Sequence, residues 1–86
     1  MSSMKEESIR TYISKIDFNR DDWKLSKIKE ELRTFLGESP AIDVEYKKDV
    51  MLNEVSGEAK EIEKVDKVII VFTDLDDKFK KLEFLI

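Results

Sequence analysis

Apolar residues at helical spacing predict an amphipathic helix near the start of the chain. The apolar positions are three or four residues apart: Ile9, Tyr12, Ile13 and Ile16. This spacing places them on one face of a helix. Ser3 and Glu6 form a capping box that is typical of a helix start. We predict a helix over residues 4–16, with Lys5, Arg10 and Lys15 on its polar face.

A second helix is predicted over residues 20–36, with signals at its start. Asn19 is placed to act as the N-cap, and Asp22 would put a carboxylate near the positive end of the helix dipole. Phe18 and Trp23 have the spacing of a hydrophobic staple.

The end of the second helix is also marked. The apolar face continues along the predicted helix through Leu25, Ile28, Leu32, Phe35 and Leu36. Gly37 follows at the position that favours a left-handed residue, and Pro40 cannot continue a helix.

The apolar period then changes from helical to alternating, which predicts a half-buried strand over residues 41–52. The even-numbered positions are mainly apolar: Ile42, Val44, Tyr46, Lys48, Val50 and Leu52. Lys48 is the exception on this inner face. It indicates an open sheet edge, a bend at residues 47–49, or a buried ion pair with a carboxylate such as Glu83.

Residues 53–64 are polar and give conflicting signals. Val55, Ala59 and Ile62 have helical spacing, but Ser56-Gly57 is typical of a turn. We interpret the segment as a mobile connection that includes, as an alternative, a short extended edge.

Two further strands complete the predicted fold. Residues 65–74 contain the run Val-Ile-Ile-Val-Phe that is typical of a central strand. A turn over residues 75–78 leads into a final strand over residues 79–86, and the two strands should form a hairpin. We therefore predict a single α+β domain over residues 1–86, with two helices packed on one face of a three-stranded antiparallel sheet, in the order ααβββ.

Composition argues against most kinds of catalysis. The 86 residues include no cysteine and no histidine, so thiol nucleophiles, thiolate metal sites and imidazole bases are excluded. No phosphate-binding loop or cofactor motif is present, and we predict a non-enzymatic protein without a cofactor. No apolar run is long enough to span a bilayer. We see no secretory signal and expect a cytoplasmic protein that does not bind membranes.

The group of residues most similar to a metal site consists of three aspartates close together in sequence, Asp74, Asp76 and Asp77. Hard cations prefer several oxygen ligands. Aspartate is also common in turns because its side chain bonds the local backbone. The glycine and glutamate positions of an EF-hand are missing, and we interpret these residues as a solvated turn and predict no metal site.

A group of lysines is the alternative candidate, for contacts with nucleic-acid phosphates. Lys78, Lys80 and Lys81 lie in and just after the predicted turn, and Lys47 and Lys48 lie on a predicted strand that would be its neighbour. The hypothesis requires them to share one sheet face. Lysine on exposed strands also discourages edge-to-edge aggregation, which explains them without a ligand. The net charge of −4 gives no basic stripe, so this alternative is not favoured.

A protein interface is the preferred functional hypothesis. A three-stranded sheet has two edges that invite pairing with another chain. The candidate contacts are Trp23, which is the single tryptophan, and the apolar C-terminal residues Phe84, Leu85 and Ile86. We expect a small interaction or regulatory protein that binds a protein partner through a sheet edge or forms a homodimer. Enrichment in lysine and glutamate and the absence of glutamine suggest a thermophile source, and small accessory proteins of mobile genetic elements are similar in appearance.

Overall fold

The fold has two helices followed by three strands. The computed structural model describes residues 4–20, 22–74 and 77–86. Along these residues the elements are α1 (Met4–Ser14), α2 (Leu25–Leu36), β1 (Ala41–Leu52), β2 (Ala59–Thr73) and β3 (Phe79–Leu85). The strands form an antiparallel sheet in the order β1-β2-β3. The predicted α+β architecture is confirmed. No helix within the described ranges is long and apolar enough to cross a lipid bilayer.

α1 has the predicted apolar face and a slightly earlier end. Ile9 and Ile13 are buried in the core. After Ser14 the chain tightens, because the Ile16 N–H donates to the carbonyl oxygen of Ile13 at 3.1 Å, three residues back rather than four. The proposed capping residue Ser3 lies outside the described residues. Glu6 instead uses its carboxylate to contact other side chains.

α2 begins later than its sequence signals indicated, and the prediction that Asn19 caps it is wrong. The Asn19 backbone N–H donates to Asp17 Oδ1 at 3.0 Å, and the Arg20 N–H donates to the Asp17 carbonyl oxygen at 3.2 Å. These bonds form a turn that competes with helix initiation. The helix starts after Lys24, whose extended backbone makes no side-chain cap.

The predicted Phe18–Trp23 contact is present although the helix does not begin beside it. The two rings meet edge to face, with centroids 5.2 Å apart. Phe18 is buried and Trp23 is half-buried. The contact therefore fixes the connection between the helices rather than the first turn of α2.

The two helices also contact each other through Tyr12. Its ring meets Phe35 edge to face at 5.8 Å, and its hydroxyl donates a hydrogen bond to the Glu31 carboxylate. Burial, together with this bond, raises the pKa of Tyr12 to about 12.

The helices cover one face of the sheet. Antiparallel pairing aligns Ile42, Ile70 and Leu82 in one row across the strands, and Val44, Val68 and Phe84 in the next. These rows pack against the apolar faces of both helices. The buried core consists of Ile9, Ile13, Phe18, Ile28, Leu32, Leu36, Val65, Val68, Ile70, Phe72 and Leu82.

A polar contact closes the core at the end of β2. Glu38 accepts hydrogen bonds from the Thr73 backbone N–H at 2.9 Å and from Lys5 Nζ at 3.2 Å. Lys5 Nζ also donates to the Thr73 carbonyl oxygen at 2.9 Å. The Thr73 N–H, with Lys5, lowers the pKa of Glu38. Three parts of the chain that are distant in sequence are thereby joined at one point.

β2 is longer than predicted: residues 59–64 are extended, as the alternative for this segment proposed, and they are not part of a mobile connection. They pair with residues 47–52 as a continuous antiparallel ladder. The connection is confined to residues 53–58. There the Asn53 side chain accepts from the Val55 and Ser56 N–H groups at 2.9 and 3.3 Å. Gly57 adopts the left-handed backbone that closes this turn, with φ of 73°.

The three strands differ greatly in length, with 12, 15 and 7 residues. β3 pairs with residues 67–73 of β2 only. The rest of the β1–β2 hairpin, residues 46–65, extends beyond the third strand, and we call it the arm. The molecule is correspondingly elongated, with dimensions of 56 × 18 × 18 Å.

A β-bulge marks the root of the arm. Glu45 pairs with Lys67 and Tyr46 pairs with Val65, which leaves Asp66 as the extra residue on β2. A bulge of this kind increases the local twist of a ribbon. The Ile86 N–H donates to the Asp66 carbonyl oxygen at 3.0 Å, so the end of the chain is tied to the same position.

The end of α2 generates a prediction about stability. Gly37 has a φ of 74° and its N–H caps the helix by donating to the Arg33 carbonyl oxygen at 3.0 Å. No atom of the described residues lies within 4 Å of a methyl group added there. We expect Gly37→Ala to lower the free energy of unfolding by about 1 kcal/mol through backbone strain alone.

Chemical denaturation would measure this loss. Gly37→Asn is the matched control, because asparagine tolerates the left-handed region better than alanine. The stability order should be glycine, asparagine, alanine. An alanine variant as stable as the parent chain would contradict the assignment of Gly37 as a required cap.

Candidate functional site

The arm exposes its side chains on all sides. Every residue from Glu45 to Glu61 is exposed to solvent. Five of them are apolar or aromatic residues with large exposed fractions: Tyr46 54%, Val50 63%, Met51 57%, Leu52 64% and Val55 98%. Soluble proteins rarely carry so many apolar side chains on one thin element without a partner. The arm is therefore the first candidate for a binding element.

The arm is held by its backbone ladder and by ion pairs between its strands. Lys48 Nζ lies 3.4 Å from the Glu61 carboxylate, and Lys64 Nζ lies 3.1 Å from that of Asp49. The Val50 N–H and then Lys64 lower the pKa of Asp49. Complementary charges on opposite strands favour this register over a shifted one. They maintain the ribbon without covering its apolar side chains.

The tip of the arm presents an apolar residue between two acids. Val55 is the most exposed large apolar residue of the described chain, and Glu54 and Glu58 flank it in the turn. Val50, Leu52 and Val55 were not among the functional residues predicted from the sequence. The signal that could have identified Val55 is the presence of an apolar residue among the polar residues and glycine of a turn.

A cleft lies between the connection of the two helices and the arm, and it extends from the root of the arm at Tyr46 and Val65 to Met51 and Lys60. It has a volume of about 640 Å³. Its apolar wall is formed by Phe18, Trp23, Tyr46, Met51, Ile62 and Val65. Side chains from both faces of the ribbon reach it because the ribbon twists at the bulge. Its charged lining is Arg20, Lys60, Lys64 and Glu63, with a net charge of +2. The cleft therefore fits an apolar side chain that carries acidic neighbours.

The structure places the predicted interface residues in different surroundings. Trp23 is half-buried in the wall of the cleft, where its edge is accessible. Phe84 faces the helices, and the Arg10 guanidinium lies 5.9 Å from its ring centroid. Leu85 is on the opposite sheet face with 82% of its surface exposed, and Ile86 lies beyond the strand. Phe84, Leu85 and Ile86 thus do not form one surface, whereas Trp23 belongs to the cleft.

The five predicted phosphate-binding lysines are not brought together on one face. Lys48 and Lys80 are on the face that continues the core, whereas Lys47 and Lys81 are on the other, and Lys78 is in the β2–β3 turn. Four of them lie within 4 Å of carboxylates. The pairs are Lys47–Asp66 at 3.7 Å, Lys48–Glu61 at 3.4 Å, Lys80–Glu6 at 2.7 Å and Lys81–Glu83 at 3.1 Å. Of the three explanations given for Lys48, the structure agrees with the open sheet edge, because β1 is an edge strand and Lys48 is exposed. A buried ion pair with Glu83 is not formed.

Lys80 instead joins β3 to α1. Its Nζ donates to Glu6 Oε2 at 2.7 Å, and Arg10 contacts the other oxygen of the same carboxylate at 3.0 Å. Glu6 is buried, with only 8% of its surface exposed. These two hydrogen bonds lower the pKa of Glu6, and the bond to Glu6 raises the pKa of Lys80. The arrangement stabilises the fold.

The aspartate turn is described only in part, because Asp76 lies outside the described residues. The Asp77 N–H donates to the Asp74 carbonyl oxygen at 3.0 Å, and Asp77 has a left-handed φ of 57°. Asp74 also lies 3.7 Å from Lys80. Over the described ranges, no group of three acidic side chains is arranged to hold a metal ion.

No protein-family model, curated protein or solved structure matches this chain. Its function must therefore be inferred from its own residues.

The Glu6 contacts generate a prediction about pH. A lowered pKa means that Glu6 stabilises the fold fully above the ordinary glutamate pKa of 4.5 and loses this contribution as the pH falls through the folded-state value. We expect Glu6→Gln to lower the free energy of unfolding at pH 7. The difference from the parent chain should shrink as the pH decreases below 4.5.

Urea denaturation at a series of pH values would measure this effect. Glu30→Gln, which removes a carboxylate from the exposed surface of α2, is the control and should change stability little at any pH. Parallel stability curves for the parent chain and Glu6→Gln would show that the ion pairs with Lys80 and Arg10 do not link folding to pH.

Proposed function

We propose that this chain is a non-enzymatic protein-binding module that contacts its partner through the arm. The observation that carries this proposal is the exposure of five large apolar side chains along the arm, at Tyr46, Val50, Met51, Leu52 and Val55. We place the module in the cytoplasm, where a chain without cysteine needs no oxidising environment.

Physical arguments support binding through the arm. A two-stranded ribbon is marginally stable in water by itself, and packing against another surface stabilises it. Val50 and Leu52 point to the same side of β1, so one partner surface can cover both. β1 is also an edge strand, and within the described part of the chain its outer backbone groups pair with no other strand. Such an edge can accept a strand from another protein.

The charges support a protein partner over a nucleic acid. Residues 46–65 contain four lysines and five acidic residues, which gives the arm a net charge of −1. Ribbon arms that bind nucleic acids need an excess of positive charge to contact phosphates.

Affinity capture with matched surface variants tests this proposal. The arm variant carries Val50→Thr, Leu52→Thr and Val55→Thr, since threonine keeps strand propensity while removing apolar surface. The control carries Phe79→Thr and Leu85→Thr, which change two exposed residues on the open face of the sheet. Tagged chains would capture proteins from extracts of the source organism, with and without nuclease treatment, and mass spectrometry would quantify them.

We expect the arm variant to capture at least tenfold less of the specific partner protein than the parent chain does. The control should capture as much as the parent chain. Untagged copies of the chain itself are counted as captured protein. Equal capture by the two variants, or loss confined to the Phe79 and Leu85 variant, would show that the arm is not the binding element. Capture that disappears with nuclease would point to the lysines instead.

A further inference from the structure

The tip of the arm and the cleft at its root are complementary. The tip presents Val55 between Glu54 and Glu58, and its six residues 53–58 have a charge of −2. The cleft has an aromatic wall that includes Trp23 and Tyr46, and its charged lining sums to +2. An exposed apolar residue with two acids thus matches an apolar cleft with excess basic groups. Opposite charge at the two sites favours contact between them and disfavours tip-to-tip contact.

One molecule cannot make this contact with itself. The aromatic wall of Trp23 and Tyr46 lies at the root, and the ladder from Tyr46 to Leu52 separates it from the tip by about 20 Å at strand spacing. The ladder is continuous from Tyr46 to Leu52, so the arm does not fold back. Two arms lying side by side in opposite directions would place each tip beside the root of the other.

We propose that the partner is a second copy of this chain, with the two arms antiparallel about a two-fold axis and each Val55 inserted into the cleft of the other copy. This inference rests on the proposed function of the arm. The same two sites are used on both copies, so the contact closes as a dimer and does not propagate into a fibre.

The surface available is large enough for such a dimer. Stable interfaces use about 20 to 30 residues on each side. The arm supplies residues 46–64, and the lining of the cleft adds Asn19, Arg20 and Trp23, all of which are exposed or half-buried. The antiparallel arrangement also covers Val50 and Leu52 midway along the arm, which are exposed in the single chain.

Disulfide cross-linking between two single-cysteine variants tests the arrangement. The chain has no cysteine of its own, so each variant carries one thiol. Val55→Cys places a thiol at the tip, and Asn19→Cys places one at the rim of the cleft. The two variants would be mixed and oxidised mildly, and mass spectrometry would separate the mixed disulfide from the two homodisulfides. Lys78→Cys replaces Asn19→Cys in the control, because the β2–β3 turn is at the end of the sheet away from the arm.

We expect the mixed Val55–Asn19 disulfide in excess over both homodisulfides, and no such excess in the Val55–Lys78 mixture. Sedimentation of the parent chain should give the mass of a dimer. The emission of Trp23 should shift to shorter wavelength as the chain concentration rises, and Val55→Asp should abolish that shift.

A parent chain that stays monomeric at all accessible concentrations would overturn the dimer, and so would a dimer without the mixed disulfide. Neither result decides the proposed function, which fails only if capture does not depend on the arm. A monomer with arm-dependent capture would retain the binding module and assign it a different protein partner.

Discussion

The difference in strand length is the constraint on which the rest of the molecule depends. Both helices and β3 can cover only the part of the sheet where all three strands run together. β1 and β2 continue past that limit, so their side chains have no core to enter. The chain therefore divides into a packed base and an exposed arm, although both are built from the same two strands. The burial of apolar surface stabilises the base, whereas a backbone ladder and cross-strand charges maintain the arm.

Two carboxylates, one buried and one half-buried, join elements of the base to one another. Glu6 joins α1 to β3 through Lys80, and Glu38 joins the start of β1 to the end of β2 through Thr73. Both carboxylates are bonded to more than one donor, which is the arrangement that compensates for partial loss of water. Neither contact reaches the arm. The base can therefore remain folded while the arm binds. Substitutions in the arm should change binding without unfolding the base.

Local signals in the sequence predicted most of the fold. Gly37 ended α2 where expected, and strict alternation gave the limits of β1, because both features depend on a few neighbouring residues. The start of α2 was wrong because Asp17 formed a competing turn that the Asn19 signal did not reveal. Residues 59–64 were not recognised as a strand because they have little apolar content. Their pairing with residues 47–52 becomes visible only when the strands are aligned.

The candidate site was less predictable than the fold. Lysines close together in sequence were assigned to one surface, but alternation along a strand places Lys80 and Lys81 on opposite faces. Trp23, a predicted interface residue, is half-buried and lines the cleft. The cleft beside it also needs Tyr46 and Ile62, which are distant in sequence and meet only through the register of the hairpin. Pairwise contacts of this kind have no signature in a single sequence.

The bulge at Asp66 sets the orientation of everything beyond it. On β2 the core residues are the even-numbered Val68, Ile70 and Phe72 in the base and the odd-numbered Val65 in the arm. The extra residue thus changes which of the alternating positions lie on the core side of the strand. Loss of one residue there would invert β2 of the arm, exchanging the side with Glu61 and Glu63 for the side with Ile62 and Lys64 and turning Val65 out of the core. A single deletion would therefore change what the arm presents and would remove one buried side chain from the core.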